Sequence, residues 1–145
     1  MDVMTTRFGA LRATPGDLIT FDHGLIGLRE CRRWLLLADA KNSLLGWLQS
    51  VDDPEVAVGL VAPRRFVPDY QLRVSRGELQ PLRLENLRDA QGAVIVSRQS
   101  EGLSLKLRGP LGVKVQTRRG RQVIAKDALP VQHLLPHLEP LRRSA

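Results

Sequence analysis

The sequence is poor in the residues that carry most binding chemistry. It has one cysteine, two Trp, one Tyr and three Phe among 145 residues. Cys31 has no partner for an internal disulfide, which fits a reducing compartment. No apolar run approaches the roughly 18 residues that a membrane-spanning helix needs. Met1 to Arg7 lacks the apolar core of a secretion signal. These absences lead us to expect a cytoplasmic protein with no membrane association. The last 45 residues contain no aromatic side chain, although they are the most basic part of the chain. Proteins that hold single-stranded nucleic acid combine a basic groove with stacking aromatics, so this third of the chain has half of that chemistry.

What the sequence does have is positive charge, unevenly placed. The formal net charge is +7. Residues 1–100 are close to neutral, whereas residues 101–145 carry nine basic groups against three acidic ones. A local field of this kind attracts anions, whether nucleic acid or an acidic protein. The length suits one domain, large enough to fold without a disulfide or metal. We place a single β domain at residues 1–130 and a partly ordered basic tail at 131–145.

Short apolar segments separated by turn residues run through the chain, with little helical periodicity. The strongest signal is Trp47 to Val58, where two strand-like runs flank the turn Asp52-Asp53-Pro54. This predicts a central hairpin, with Trp47 as a core anchor. Val56 to Val61 is apolar at every position, so the second strand is expected to be covered on both faces. Further strands are expected at Thr5–Leu11 (with Phe8 inward), Leu18–Phe21, Trp34–Ala38 and Ala93–Ser97. Leu103–Arg108 alternates as a half-buried strand. Leu111–Gln116 has Val113 and Val115 inward, and Arg121–Ala125 returns from a turn at Thr117–Gly120. Leu28–Arg33 reads as one helical turn, Gln71–Val74 as an edge strand, and residues 75–92 as short helical pieces. Nine or ten short strands with intervening turns predict an all-β, antiparallel barrel-like domain.

Candidate chemical sites are few. Asp22 to Gly27 has two glycines three apart but lacks the Lys-Ser/Thr ending of a phosphate loop. His133 and His137 are four apart with Pro136 between them and no third ligand in view. Cys31 and His23 lack the third member of a nucleophilic set, and adjacent carboxylates in a turn, Asp52 and Asp53, point apart. We therefore expect no enzyme activity, no metal and no cofactor. Partner contact is assigned to Asp52 and Asp53 and to the Pro-rich segment bearing Phe66, Asp69 and Tyr70. That segment either receives an extended peptide or helix or closes the barrel end.

Four segments resemble the flagellar assembly factor FliW family. They are Thr6-Arg7-Phe8-Gly9, the loop Phe21-Asp22-His23-Gly24-Leu25-Ile26-Gly27, the stretch Trp47 to Val58 with Pro63, Phe66, Pro68, Asp69 and Tyr70 after it, and Gly109-Pro110-Leu111 through Gly120-Arg121-Gln122-Val123. Their order and spacing agree with the family pattern. The resemblance implies a small β-barrel-like protein without catalysis, and we expect a monomer when free. It also implies two partners, flagellin and the RNA-binding translational regulator CsrA, whose repression of flagellin translation the family relieves. The chain departs from the pattern at Asp22-His23, where Pro-Glu is usual, and at Lys106 and Lys114, where Asn is frequent. It is also basic where the family tends to be acidic, so it does not repel RNA from CsrA by surface charge in the same way. The alternative class is a basic β-barrel that binds RNA through Arg118, Arg119 and Arg121 with Lys106, Arg108 and Lys114.

Overall fold

The computed structural model describes residues 1–66, 82, 90–99, 102–124 and 133–135. Among these, eleven strands form in chain order: β1 (Asp2–Thr5), β2 (Gly9–Arg12), β3 (Leu18–Phe21), β4 (Arg33–Ala38), β5 (Gly46–Ser50), β6 (Ala57–Val61), β7 (Ala90–Gln99), β8 (Gly102–Leu105), β9 (Leu111–Lys114), β10 (Arg119–Gln122) and β11 (His133–Leu135). Two short 3₁₀ turns, Pro15–Asp17 and Pro63–Arg65, punctuate them. β1 and β2 make a separate hairpin.

The larger sheet closes on itself. Its order runs β7-β6-β5-β4-β3-β10-β9, and β9 pairs back to β7, giving a seven-stranded barrel. All pairings are antiparallel except β3 with β10. β7 makes the closure by dividing one edge between two neighbours. Ala90 to Ala93 pair with β9, and Val96 to Gln99 pair with β8. β11 pairs with β8 outside the barrel; it lies within the segment expected to be a partly ordered tail.

Strand alternation sorts the apolar residues into three cores. Ile19, Phe21, Trp34, Leu48, Leu60, Ile95 and Leu111 fill the barrel. The neighbours of Leu60 and Ile95, Val61 and Val94, face the other way and pack with Leu103, Leu105 and Leu107. Leu35, beside Trp34, packs under the N-terminal hairpin with Val3 and Ala13. β4 and β6 are therefore apolar on both faces because each face has its own cover, as expected for β6.

Several expectations are corrected. Trp34, fully buried with its indole N–H donating to the Cys31 carbonyl at 2.9 Å, is the large core anchor. Leu48 takes the inward position on β5, so adjacent Trp47 faces outward. The first expected strand is a hairpin: the Thr5 hydroxyl donates to the Gly9 carbonyl and accepts the Phe8 N–H, both at 2.8 Å, and Phe8 lies in the turn. Leu28–Arg33 is not helical. Leu25 and Leu28 exchange backbone hydrogen bonds, and Gly24 and Gly27, with φ of 64° and 83°, fold the loop back. β9 ends at Lys114, so Val115 sits in the following turn and is exposed. Ser104, expected on a polar face, is buried because β8 is flanked by both β7 and β11. Residues 90–92 begin β7, not a helical piece. Leu82 is buried. The expected edge strand Gln71–Val74 and the rest of 75–89 lie outside the described residues.

Gly120 pairs with Phe21 where β10 meets β3. A Cβ at Gly120 would lie 2.6 and 2.7 Å from two Phe21 ring carbons. Gly92, on β7, has only ordinary contact at 3.9 Å. We expect Gly120→Ala to destabilise by about 2–3 kcal/mol, read as a lower urea midpoint at unchanged slope. Gly92→Ala should stay within about 1 kcal/mol of the parent.

Candidate partner interface

The turn Asp52-Asp53-Pro54 joins β5 to β6 and is held from several sides. The Ser50 hydroxyl accepts the Asp52 and Asp53 N–H groups at 3.1 and 2.9 Å. Gln49, fully buried, points its side-chain NH₂ at the carbonyls of Ser50, Pro54 and Val56. Asp53 accepts the Glu55 N–H at 3.0 Å, the local bond expected of a turn carboxylate.

Asp52 ties this turn to the loop before β4. One carboxylate oxygen accepts the Arg32 and Arg33 N–H groups at 2.9 and 3.0 Å. The other accepts the Arg33 guanidinium at 3.2 and 2.9 Å. Partial burial works against the charged form, but the Arg33 N–H, the Arg33 guanidinium and the Arg32 N–H together outweigh it. The Asp52 carboxyl is held below its ordinary value of 3.8.

The β1–β2 turn lies against the same hairpin. The Thr6 N–H donates to the Pro54 carbonyl at 3.0 Å. Phe8 meets Trp47 edge-on at 5.9 Å, and the Arg7 guanidinium sits 4.5 Å from the centre of the Trp47 ring. The Trp47 indole N–H donates to Asp39 at 3.0 Å. That bond is the main reason the Asp39 carboxyl lies below its ordinary value; the Lys41 and Asn42 N–H groups add to it against some burial.

A second assembly joins the loop after β3 to the β9–β10 hairpin. Gln122 is its centre: its carbonyl oxygen accepts the Ile26 N–H at 2.7 Å, and its NH₂ donates to the Gly109 carbonyl at 2.8 Å. Arg119 pairs with Asp22. Arg118 donates to the Asp17 carbonyl at 2.7 Å. Two arginines of the basic hairpin tip are thus turned toward the protein's own acceptors.

The segments that carry the sequence resemblance therefore meet in pairs, the first with the third and the second with the fourth. Among the described residues assigned to partner contact, Asp52 and Asp53 lie apart in the chain order of the sheet from Phe66. Asp52 and Asp53 precede β6, while Phe66 follows it, partly buried against Val61 and its neighbours. Asp69 and Tyr70 lie outside the described residues. Gln49, Gln122, Arg33 and Asp39 were missed as organising residues. Gln49 and Gln122 stood inside the quoted motifs, but the spacing carried no sign of which distant carbonyls they would reach. Among the described residues no three His, Cys, Asp or Glu side chains gather as a metal site, and no helix is long and apolar enough to cross a membrane.

A family model described as FliW protein matches residues 2–135. The chain belongs to the FliW family. A flagellar assembly factor FliW of Bdellovibrio bacteriovorus is 30% identical over 129 residues, covering 88% of this chain and 74% of that protein. One from Magnetococcus marinus is 32% identical over 139 residues, covering 94% and 86%. A crystal structure of the flagellar assembly factor FliW superposes with a TM-score of 0.84 at 24% identity, covering 92% of this chain and 95% of the other. The FliW fold is thus this barrel, with the outer strands β8 and β11 beside it.

The depressed Asp52 carboxyl sets an acid-side prediction. Its unfolded form takes up a proton more readily than its folded form, so its stabilisation is present at neutral pH. That stabilisation is lost as pH falls below the ordinary value of 3.8 and through the lower folded value. Asp52→Asn should lower stability at pH 7 by about 1–2 kcal/mol. The gap between variant and parent should narrow in thermal melts at about pH 3; a gap unchanged with pH contradicts this account.

Proposed function

We propose that this protein is a non-catalytic regulatory binding protein of flagellar assembly. Its partners are flagellin and a CsrA-type translational regulator, and its binding relieves CsrA repression of flagellin translation. The single observation that carries this reading is the family match across residues 2–135 on a closed barrel of the same fold. We place the activity in the cytoplasm, where both partners are made. Asp52 and Asp53 at one position, and Phe66 with Asp69 and Tyr70 at another, are the contacts we assign. What supports the first is the tight fixing of the turn, which lowers the ordering cost of docking there.

RNA binding by the basic last third is the competing reading. It is weakened by the engagement of Arg119 with Asp22, and by the lack of aromatics in residues 101–145.

Calorimetric titration against CsrA and flagellin from the same organism, in about 150 mM salt, tests the proposal. Submicromolar binding of either partner, changing little with salt, is expected for an apolar-centred protein interface. Absence of both, with RNA binding that falls steeply between about 50 and 200 mM salt, would replace this reading with the nucleic-acid one.

A further inference from the structure

One end of the barrel holds a cavity of about 560 Å³. Its walls come from the ends of β4, β6 and β9 and the starts of β5 and β7, the barrel end opposite the Asp52–Asp53 turn. The lining is mostly apolar, with Leu36, Leu37, Leu44, Leu60, Val113 and Val115 prominent. Leu36 and Val115 remain 48% and 42% exposed, so large apolar side chains stand at the opening with no cover among the described residues. The volume is that of a small-molecule site, and barrel mouths are among the places such sites form.

Among the described residues the wall carries one cation, Arg118. It is the only described non-glycine residue with positive φ, at 55°, a conformation that sits uneasily on a side chain with a Cβ and is found where surrounding structure imposes it. The turn supplies that imposition: the Arg118 N–H donates to Val115, and its carbonyl accepts the Thr20 N–H at 2.9 Å. One terminal nitrogen donates to the Asp17 carbonyl. The Asp17 carboxylate accepts the Thr14 N–H and hydroxyl and is also attracted to the Arg118 charge. The Arg118 Nε is buried and has no hydrogen-bond partner. A guanidinium is a fixed cation with directional donors that match a carboxylate. Here it is fixed at the wall of a mostly apolar cavity that opens to solvent.

We propose that this cavity binds a single-chain amphiphile with an anionic head, a medium-chain fatty acid by class. The tail lies among the barrel-mouth leucines and valines, and the carboxylate meets the Arg118 guanidinium. The apolar lining selects an alkyl chain and excludes a polar metabolite. The cation selects an acid over an alcohol or amine of the same length. This goes beyond the regulatory reading and does not depend on it.

The test is calorimetric titration of the full chain with decanoate below its micelle concentration, with decanol and decyltrimethylammonium as controls. One decanoate should bind per chain, at least about tenfold more tightly than decanol, with the ammonium compound weaker still. Shortening the acid should weaken binding by about fourfold per methylene removed. Arg118→Gln should bring decanoate down to the level of decanol, and Leu36→Glu, which adds a charge at the mouth, should abolish binding. Circular dichroism melts establish that the variants are folded. Failure of decanoate to bind the parent overturns the proposal. So does binding at several equivalents per chain, or binding that both variants leave unchanged.

Discussion

The whole architecture depends on how β7 divides its hydrogen bonds. A strand has two edges, and an unpaired edge leaves a row of unsatisfied backbone groups. β7 gives one edge to β6. It splits the other, giving its first four residues to β9 and its last four to β8. The first half closes the barrel around Trp34, Phe21 and Leu48. The second half founds the outer layer on Val94, Leu103 and Leu105. Ten residues of continuous strand thus serve two cores, and the alternation of Val94 and Ile95 assigns one side chain to each.

Against that frame, the motif residues are mostly structural fasteners. Gln49 gathers three carbonyls of a turn, Asp52 gathers two backbone N–H groups and a guanidinium, and Gln122 spans two loops. These are long-range polar contacts at chain reversals, where backbone groups have no ladder partner and a side chain must satisfy them. A family signature built of such residues reports a shared framework.

Much of the fold was legible because the strands are short, apolar and bounded by turn residues. The central hairpin, β3, β4 and the β9–β10 turn all came from that pattern. What failed had a common cause. Trp47 and Trp34 look equally suited to a core, and only the parity of a strand decides between them; on β5 that parity is set by Leu48. Phe8 was read as strand because the Thr5 hydroxyl bonds that close its turn leave no mark in hydrophobic periodicity. Ser104 was read as a polar face because its second covering strand comes from some thirty residues downstream. At the candidate interface, the sequence located the Asp52–Asp53 turn but not its binding to Arg33, since nothing local links positions nineteen residues apart.

The shared strand also gives the molecule two tiers of stability. β8 and β11 hang from the last part of β7, while the barrel is sealed through the first part. The outer leaf can therefore detach as one cooperative unit, uncovering Val94, Leu103 and Leu105, without breaking the β7–β9 seam. Such partial opening lies below global unfolding in free energy. Amides of β8 are then expected to exchange with solvent ahead of those in β4 and β5.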